Sequence, residues 1–172
     1  VGWDWSGETK EIVVKTHAVV RFTQGIASAF SDSKKLEGAA TEIRSGRLLL
    51  RTTEDAYHFE FTGQVAVLSE QMQLKSERLI AVADPPPARN EATVAPAVST
   101  ELDSLRRIFA EENVSIVQSG KQVQADTAEF FPRDERAFLN GNASVTTPGA
   151  YLSAQSIRSQ SGEIVLAGSE GL

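Results

Sequence analysis

The chain has no cysteine among its 172 residues, which excludes disulfides, thiolate nucleophiles and zinc–thiolate sites together. Histidine is scarce, with only His17 and His58, so imidazole acid–base chemistry has very few carriers. Apolar runs are short, and none approaches the roughly 20 residues that a membrane-spanning helix needs. Clustered basic charge is missing as well. The net charge is −6 and the pI about 5.0, and Arg106-Arg107 is only a small basic group. Nucleic acid binding rests on grouped lysines and arginines that displace counterions, so no nucleic-acid partner is expected. No signal peptide is visible and Val1 is not an initiator methionine, so the chain reads either as a processed product or as a trimmed piece, and a removed signal or anchor stays open.

What is present is alternation. Hydrophobic content of 41% against 23% charged residues is ordinary for a folded domain, so the arrangement of the apolar residues carries the information. They fall in short period-two runs rich in Val, Ile, Phe and Thr, such as Ile12 to Thr16, Ala18 to Phe22, Thr41 to Arg44, Arg47 to Thr52, Tyr57 to Phe61, Leu79 to Val82 and Ile164 to Leu166. Such runs predict strands. Turn-type pairs separate them, among them Ser45-Gly46, Thr62-Gly63, Ser119-Gly120, Asn140-Gly141 and Pro148-Gly149, and the pattern predicts an all-β chain of short strands. Ala29 to Lys35 reads as a polar connection, and Asp84-Pro85-Pro86-Pro87 through Thr100 as an aperiodic Pro-rich loop. The chain is expected to form one domain over residues 1–172, with that loop inserted at about 84–100. A short helical turn over Glu101 to Arg107, capped by Thr100, competes with a strand leading into Ile108-Phe109-Ala110, and the repeat pattern favours the strand.

A strand-pair pattern recurs three times. Its copies begin at Gly63-Gln64-Val65, Glu112-Asn113-Val114 and Gly141-Asn142-Ala143. An apolar partner follows nine positions on (Leu74, Val123, Leu152), and an acidic or amide residue three further on (Glu77, Asp126, Gln155). The step from Val65 to Val114 exceeds that from Val114 to Ala143 by about the length of the Pro-rich loop, as an insertion between repeats requires. A unit of this size cannot bury its own apolar face and must stack on its neighbours.

Nothing in the pattern assembles a catalytic or metal centre. His17 and His58 each stand in an alternating run and read as solvent-facing strand residues. Glu77, Asp126 and Glu129 are the acids an enzyme of the β-solenoid kind would use, but recurrence alone places Glu77 and Asp126 at equivalent corners of successive layers. Catalytic residues, metal ligands and cofactors are therefore all expected to be none. Trp3 and Trp5 read as a cap on the open end of a core, with docking to a partner or membrane interface as the alternative. Asn113-Val114-Ser115 and Asn142-Ala143-Ser144 match the glycosylation pattern, but both are expected inside strand starts and such short matches arise readily by chance. The candidate inward face comprises Phe59, Phe61, Val65, Val67, Val114, Ile116, Phe130, Val145, Leu152 and Ile157. These residues form either a dry core or a partly open groove for acyl chains.

The segments Phe109 to Ile116, Gln124 to Phe130 and Ala137 to Ala143, with half-repeats at Tyr151 to Ile157 and Leu74 to Leu79, resemble the OstA-like repeat of the LptA–LptC family of periplasmic lipopolysaccharide-transport proteins. The likeness covers residues 57 to 168. The chain departs from the pattern at Glu112, where the repeat carries glycine, at the Pro-rich insertion, and over its N-terminal third. The resemblance implies an open β-jellyroll of stacked antiparallel strands, located in the periplasm, with an inner-membrane anchor outside this chain as one option. It also implies a non-enzymatic carrier without cofactor. Its expected partners are the lipid A acyl chains of lipopolysaccharide and other domains of its own kind, docked end to end through edge strands, with self-association as a further option. The competing expectation is a dry-core structural module that assembles through its edges and carries no lipid.

Overall fold

The computed structural model describes residues 3–6, 9–22, 41–69, 72–85, 105–134, 136–160 and 163–167. The expected polar connection at Ala29 to Lys35 and most of the Pro-rich loop lie outside these residues, as do the side chains of Trp3 and Trp5. Twelve strands form one antiparallel sheet. They are β1 (Trp3–Ser6), β2 (Thr9–Val14), β3 (Ala18–Phe22), β4 (Thr41–Ser45), β5 (Arg47–Thr52), β6 (Tyr57–Leu68), β7 (Met72–Ala83), β8 (Leu105–Gln118), β9 (Lys121–Phe131), β10 (Arg136–Thr147), β11 (Ala150–Gln160) and β12 (Glu163–Ala167). Residues Leu105 to Arg107 are strand, as the repeat pattern required, and a single 3-10 turn at Pro132–Asp134 joins β9 to β10.

The central strands are much longer than the alternation suggested, at 11 to 14 residues in β6 to β11. Thr62-Gly63 and Asn140-Gly141, expected to be turns between strands, lie in the middle of β6 and β10. Each marks a bulge. Gly63 and Gln64 oppose Glu77, Glu112 and Asn113 oppose Asp126, and Gly141 and Asn142 oppose Gln155. Two residues against one bends the bulged strand and steepens its twist. All six residues on the bulged side have positive φ, from 46° at Asn142 to 80° at Gly63.

This corner divides the sheet into two half-sheets. The first comprises β1, β2, β5, the starts of β6, β8 and β10, the ends of β7, β9 and β11, and β12. The second comprises β3, β4 and the complementary halves of β6 to β11. β4 and β5 continue the pattern as one bent strand, with Gly46 at the bend donating its N–H to the Gly63 carbonyl at 2.8 Å. β2 and β3 bend likewise at His17, whose φ is +48°. His17 is therefore an exposed corner residue between strands, whereas His58 is an exposed residue within β6. The N-terminal strands thus share the layer geometry although their sequence does not show the repeat.

Different side chains brace the corner along its length. Ser45 Oγ donates to the Arg47 carbonyl at 2.9 Å, and Ser76 Oγ to the Arg78 carbonyl at 3.1 Å. Further on, Asn142 Nδ2 donates to Asp126 Oδ2 at 3.1 Å. A Cβ on Gly141 would overlap the Asp126 carboxylate, coming within 2.7 Å of its Cγ, and the φ of +74° disfavours any side chain there. At the edge strand β3, Glu42 on β4 accepts from Arg21 at 2.8 Å and also pairs with Arg44. Hydrogen bonds from Arg21 first and Arg44 second hold the Glu42 carboxyl below its ordinary pKa of 4.5.

Gly141→Ala should cost about 2–4 kcal/mol in urea unfolding, combining backbone strain with loss of the Asp126 brace. Glu112→Gly should instead stabilise by up to about 1 kcal/mol, because relief of the left-handed strain outweighs the added freedom of the unfolded chain. Because folding lowers the Glu42 pKa, its contribution is present above the unfolded value and is lost as pH falls through the folded one. Hydrogen-exchange protection of β3 amides should therefore drop between about pH 6 and about pH 3, and Glu42→Gln should flatten that dependence.

Candidate functional site

Bending every strand at one level turns the inner faces of the two half-sheets towards a common apolar interior. Residues in register on neighbouring strands share a face, so the lining reads as rows. In the second half-sheet one row runs Val20, Ile43, Val67, Leu74, Ile116, Val123, Val145, Leu152, from β3 to β11. All eight are apolar, and six of them are β-branched. In the first half-sheet the corresponding rows mix large and small residues. Phe61 and Leu79 lead to Ala110 and Ala128, then Leu139 and Ile157. A parallel row takes Phe59, Ala81, Ile108, Phe130 and Ala137. The alanines are wholly inaccessible, and in the second row Phe59 faces Ala81 and Phe130 faces Ala137, a large residue beside a small one.

Nine of the ten expected inward residues belong to this single cluster, with exposures of 5% or less: Phe59, Phe61, Val65, Val67, Val114, Ile116, Phe130, Val145 and Ile157. Leu152 departs from them. Its partner Val145 places it on the inner face, yet it is 37% exposed. The reason is topological: among the described residues β12 pairs only with Ser156–Gln160, so the first half of β11 is an edge there and the interior row ends with no described strand covering it. β3, which among the described residues pairs only with β4, forms the opposite edge of the same half-sheet. Alternation alone missed Ile43, Leu74, Leu79, Ile108 and Leu139, which are equally central. The register with Val67, Phe61 and Phe130 would have found them.

The carboxylates do not converge. Glu77 and Asp126 stand at equivalent corners of β7 and β9, with β8 between them, and Asp126 is engaged by Asn142. Glu129 lies on the outer face, paired with Arg107. Among the described residues no group of three His, Cys, Asp or Glu is placed to hold a metal ion. Two clefts of about 330 and 280 Å³ adjoin along the corner and share Gln64. The first is lined by Lys75, Ser76, Glu77 and Asn113, and the second by His17, Arg44 and Gly46. The glycosylation-type Asn113 and Asn142 are both corner residues in the left-handed region, in mid-strand and not at strand starts.

Three comparisons bear on this arrangement. No match emerges among curated proteins. Among solved structures, the fold is similar to that of LptH, the LptA-homologous periplasmic component of the lipopolysaccharide transport device from Pseudomonas aeruginosa. The TM-score is 0.50 at 12% sequence identity, covering 66% of this chain and 73% of that one. The bent antiparallel sheet is thus an LptA-like jellyroll. Residues 42–163 match the family described as LptA/(LptD N-terminal domain) lipopolysaccharide-transport protein. That stretch runs from β4 to the start of β12 and includes all three bulged strands. The chain therefore belongs to the family of LptA and LptD N-terminal lipopolysaccharide-transport domains.

Proposed function

We propose that this chain is a non-enzymatic periplasmic carrier that shelters the acyl chains of lipopolysaccharide between its half-sheets and passes them to a neighbouring domain of its kind. The observation that carries this reading is the row from Val20 to Leu152. It is apolar throughout, runs from one edge of the second half-sheet to the other, and ends exposed. An ordinary core has no need to reach both edges. A conduit shared by domains in series does, because an acyl chain moving onward must meet apolar surface without a gap. Each methylene kept from water is worth about 0.8 kcal/mol, and a like surface next door makes transfer nearly isoenergetic. Direction then has to come from an external motor.

The edges at β3 and at the first half of β11, unpaired among the described residues, offer backbone for end-to-end docking. Residues 1–172 are read as one domain, with the Pro-rich stretch at about 84–100 inserted between β7 and β8. The insertion leaves the sheet beside Asp84, which pairs with both Arg106 and Arg133. No helix among the described residues is long and apolar enough to cross a membrane; the reading keeps, as one option, an inner-membrane anchor from a segment outside this chain.

One observation favours a second reading. Phe61, Val67, Ile116 and Phe130 are 0% exposed, which suits a dry-core module that assembles through its edges and carries nothing. On the carrier reading, acyl chains enter by parting the half-sheets about the corner, so that lipid contacts replace side-chain contacts of similar worth. Photo-crosslinking residues placed singly at Val67, Ile116 and Val145 should then capture lipopolysaccharide, while a control at the exposed Arg133 should not. Absence of crosslinks at all three sites in folded protein, with concentration-dependent assembly retained, would establish the dry-core module instead.

A further inference from the structure

The outer faces of the two half-sheets differ in a way that the carrier function does not require. On the second half-sheet the outward row passes through Lys75, Ser115, Gln124, Ser144 and Ser153, as expected of a face turned to water. On the first, one register row runs unbroken from Val13 on β2 to Val165 on β12. Its only charged members are Glu60, Glu129 and Arg158, and all others are aliphatic or aromatic. At about 4.8 Å per strand the row is roughly 38 Å long. Arginines lie flat upon it, with the Arg107 guanidinium 5.5 Å from the Phe109 ring centroid and that of Arg158 5.7 Å from Phe138. Aromatic rings joined to arginines, with few free carboxylates, are the composition of a protein–protein contact.

We propose that this face is an isologous interface with a second copy of the same chain, separate from the end-to-end contacts of the edges. The choice of occupant rests on charge complementarity within the row. A two-fold axis lying in the plane between the two faces, parallel to the strands and midway between Phe109 and Glu129, sets Ile80 against Phe138 of the second copy. Moving outward, it sets Glu60 against Arg158 and Leu49 against Val165, and each pairing occurs twice by symmetry. At the axis Glu129 is already neutralised by its own Arg107. The flanking charges need each other. Arg78 is shared between Glu60 at 3.0 Å and Glu111 at 2.6 Å, which leaves one negative charge in that cluster. Arg158 is exposed and makes no ion pair among the described residues. Displacing the axis by half a strand towards β7, onto Phe109, sets Glu60 against Phe138 and Leu49 against Arg158, which strands the charges on apolar surface. The row therefore selects one register.

Sedimentation velocity of the full chain over a concentration series tests this directly. The wild type should form a dimer, and Arg158→Glu and Glu60→Lys should each weaken it by about tenfold or more. The double variant Glu60→Lys/Arg158→Glu should recover most of that loss. Ser144→Glu on the opposite face should leave association unchanged, and circular dichroism melts confirm that each variant is folded. A protein monomeric at every concentration overturns the proposal, and so does association that Arg158→Glu leaves intact, which would belong to the edges. Failure of the double variant to recover the dimer also overturns it, because the register depends on that pairing. None of these outcomes depends on lipid, so the carrier reading stands or falls separately.

Discussion

The left-handed bulge at mid-strand is the constraint on which the rest of this structure depends. A flat antiparallel sheet of strands this long would leave one apolar face against water along its whole width. Bending each strand at the same level lets the sheet cover itself, and the alternation along each strand then sorts inner from outer on both halves. The bend needs two successive residues at positive φ, which L-amino acids adopt at a cost of about 1–2 kcal/mol each. Glycine meets that need at Gly63 and Gly141, but Gln64, Glu112, Asn113, Asn142 and His17 adopt the same region. The cost is tolerated because bulges in neighbouring strands stack, with Gly46 bonded to Gly63 and Asn142 to Asp126. One corner holds the next in place.

That geometry separates the chemistry by location. Carboxylates and guanidinia remain outside or at the corner, where they pair across strands, as Arg78 does with Glu60 and Glu111. The interior receives only what tolerates dryness. Because β6 to β11 each cross the corner, all six contribute to both inner faces, and the apolar rows continue for as long as strands are added. A surface of this kind has no natural end within one domain, and on the proposed carrier reading the exposed Leu152 at the edge of β11 marks where the interior would join that of a neighbour.

Much of this was legible in the residues. The spacing of Val65, Val114 and Ala143 and of their partners gave the layers, and alternation in β6 and β8 gave the inward side chains, because period-two patterning survives any bend. The bend itself was misread: Gly63 and Gly141 have turn-type neighbours, and a bulge and a hairpin ask the same left-handed φ of a glycine. Only the absence of strand reversal tells them apart, and that is a property of the sheet. The corner at His17 carried no signal, since nothing about histidine announces a positive φ. Leu152 resembled its counterparts Leu74 and Val123 in sequence. It differs because no described strand lies on its far side, a fact of topology and not of local pattern.

The central claim is that the interior, and not the outer face, receives the lipid. Isoleucine methyl NMR with selectively labelled protein examines it most directly, because Ile43, Ile108, Ile116 and Ile157 line the interior while Ile80 lies on the outer row. On addition of lipopolysaccharide below its micellar concentration, the interior methyls, led by Ile43 and Ile116, should shift or broaden while Ile80 stays unchanged. Interior methyls that remain unperturbed under saturating lipopolysaccharide, or a response confined to Ile80, would contradict the account.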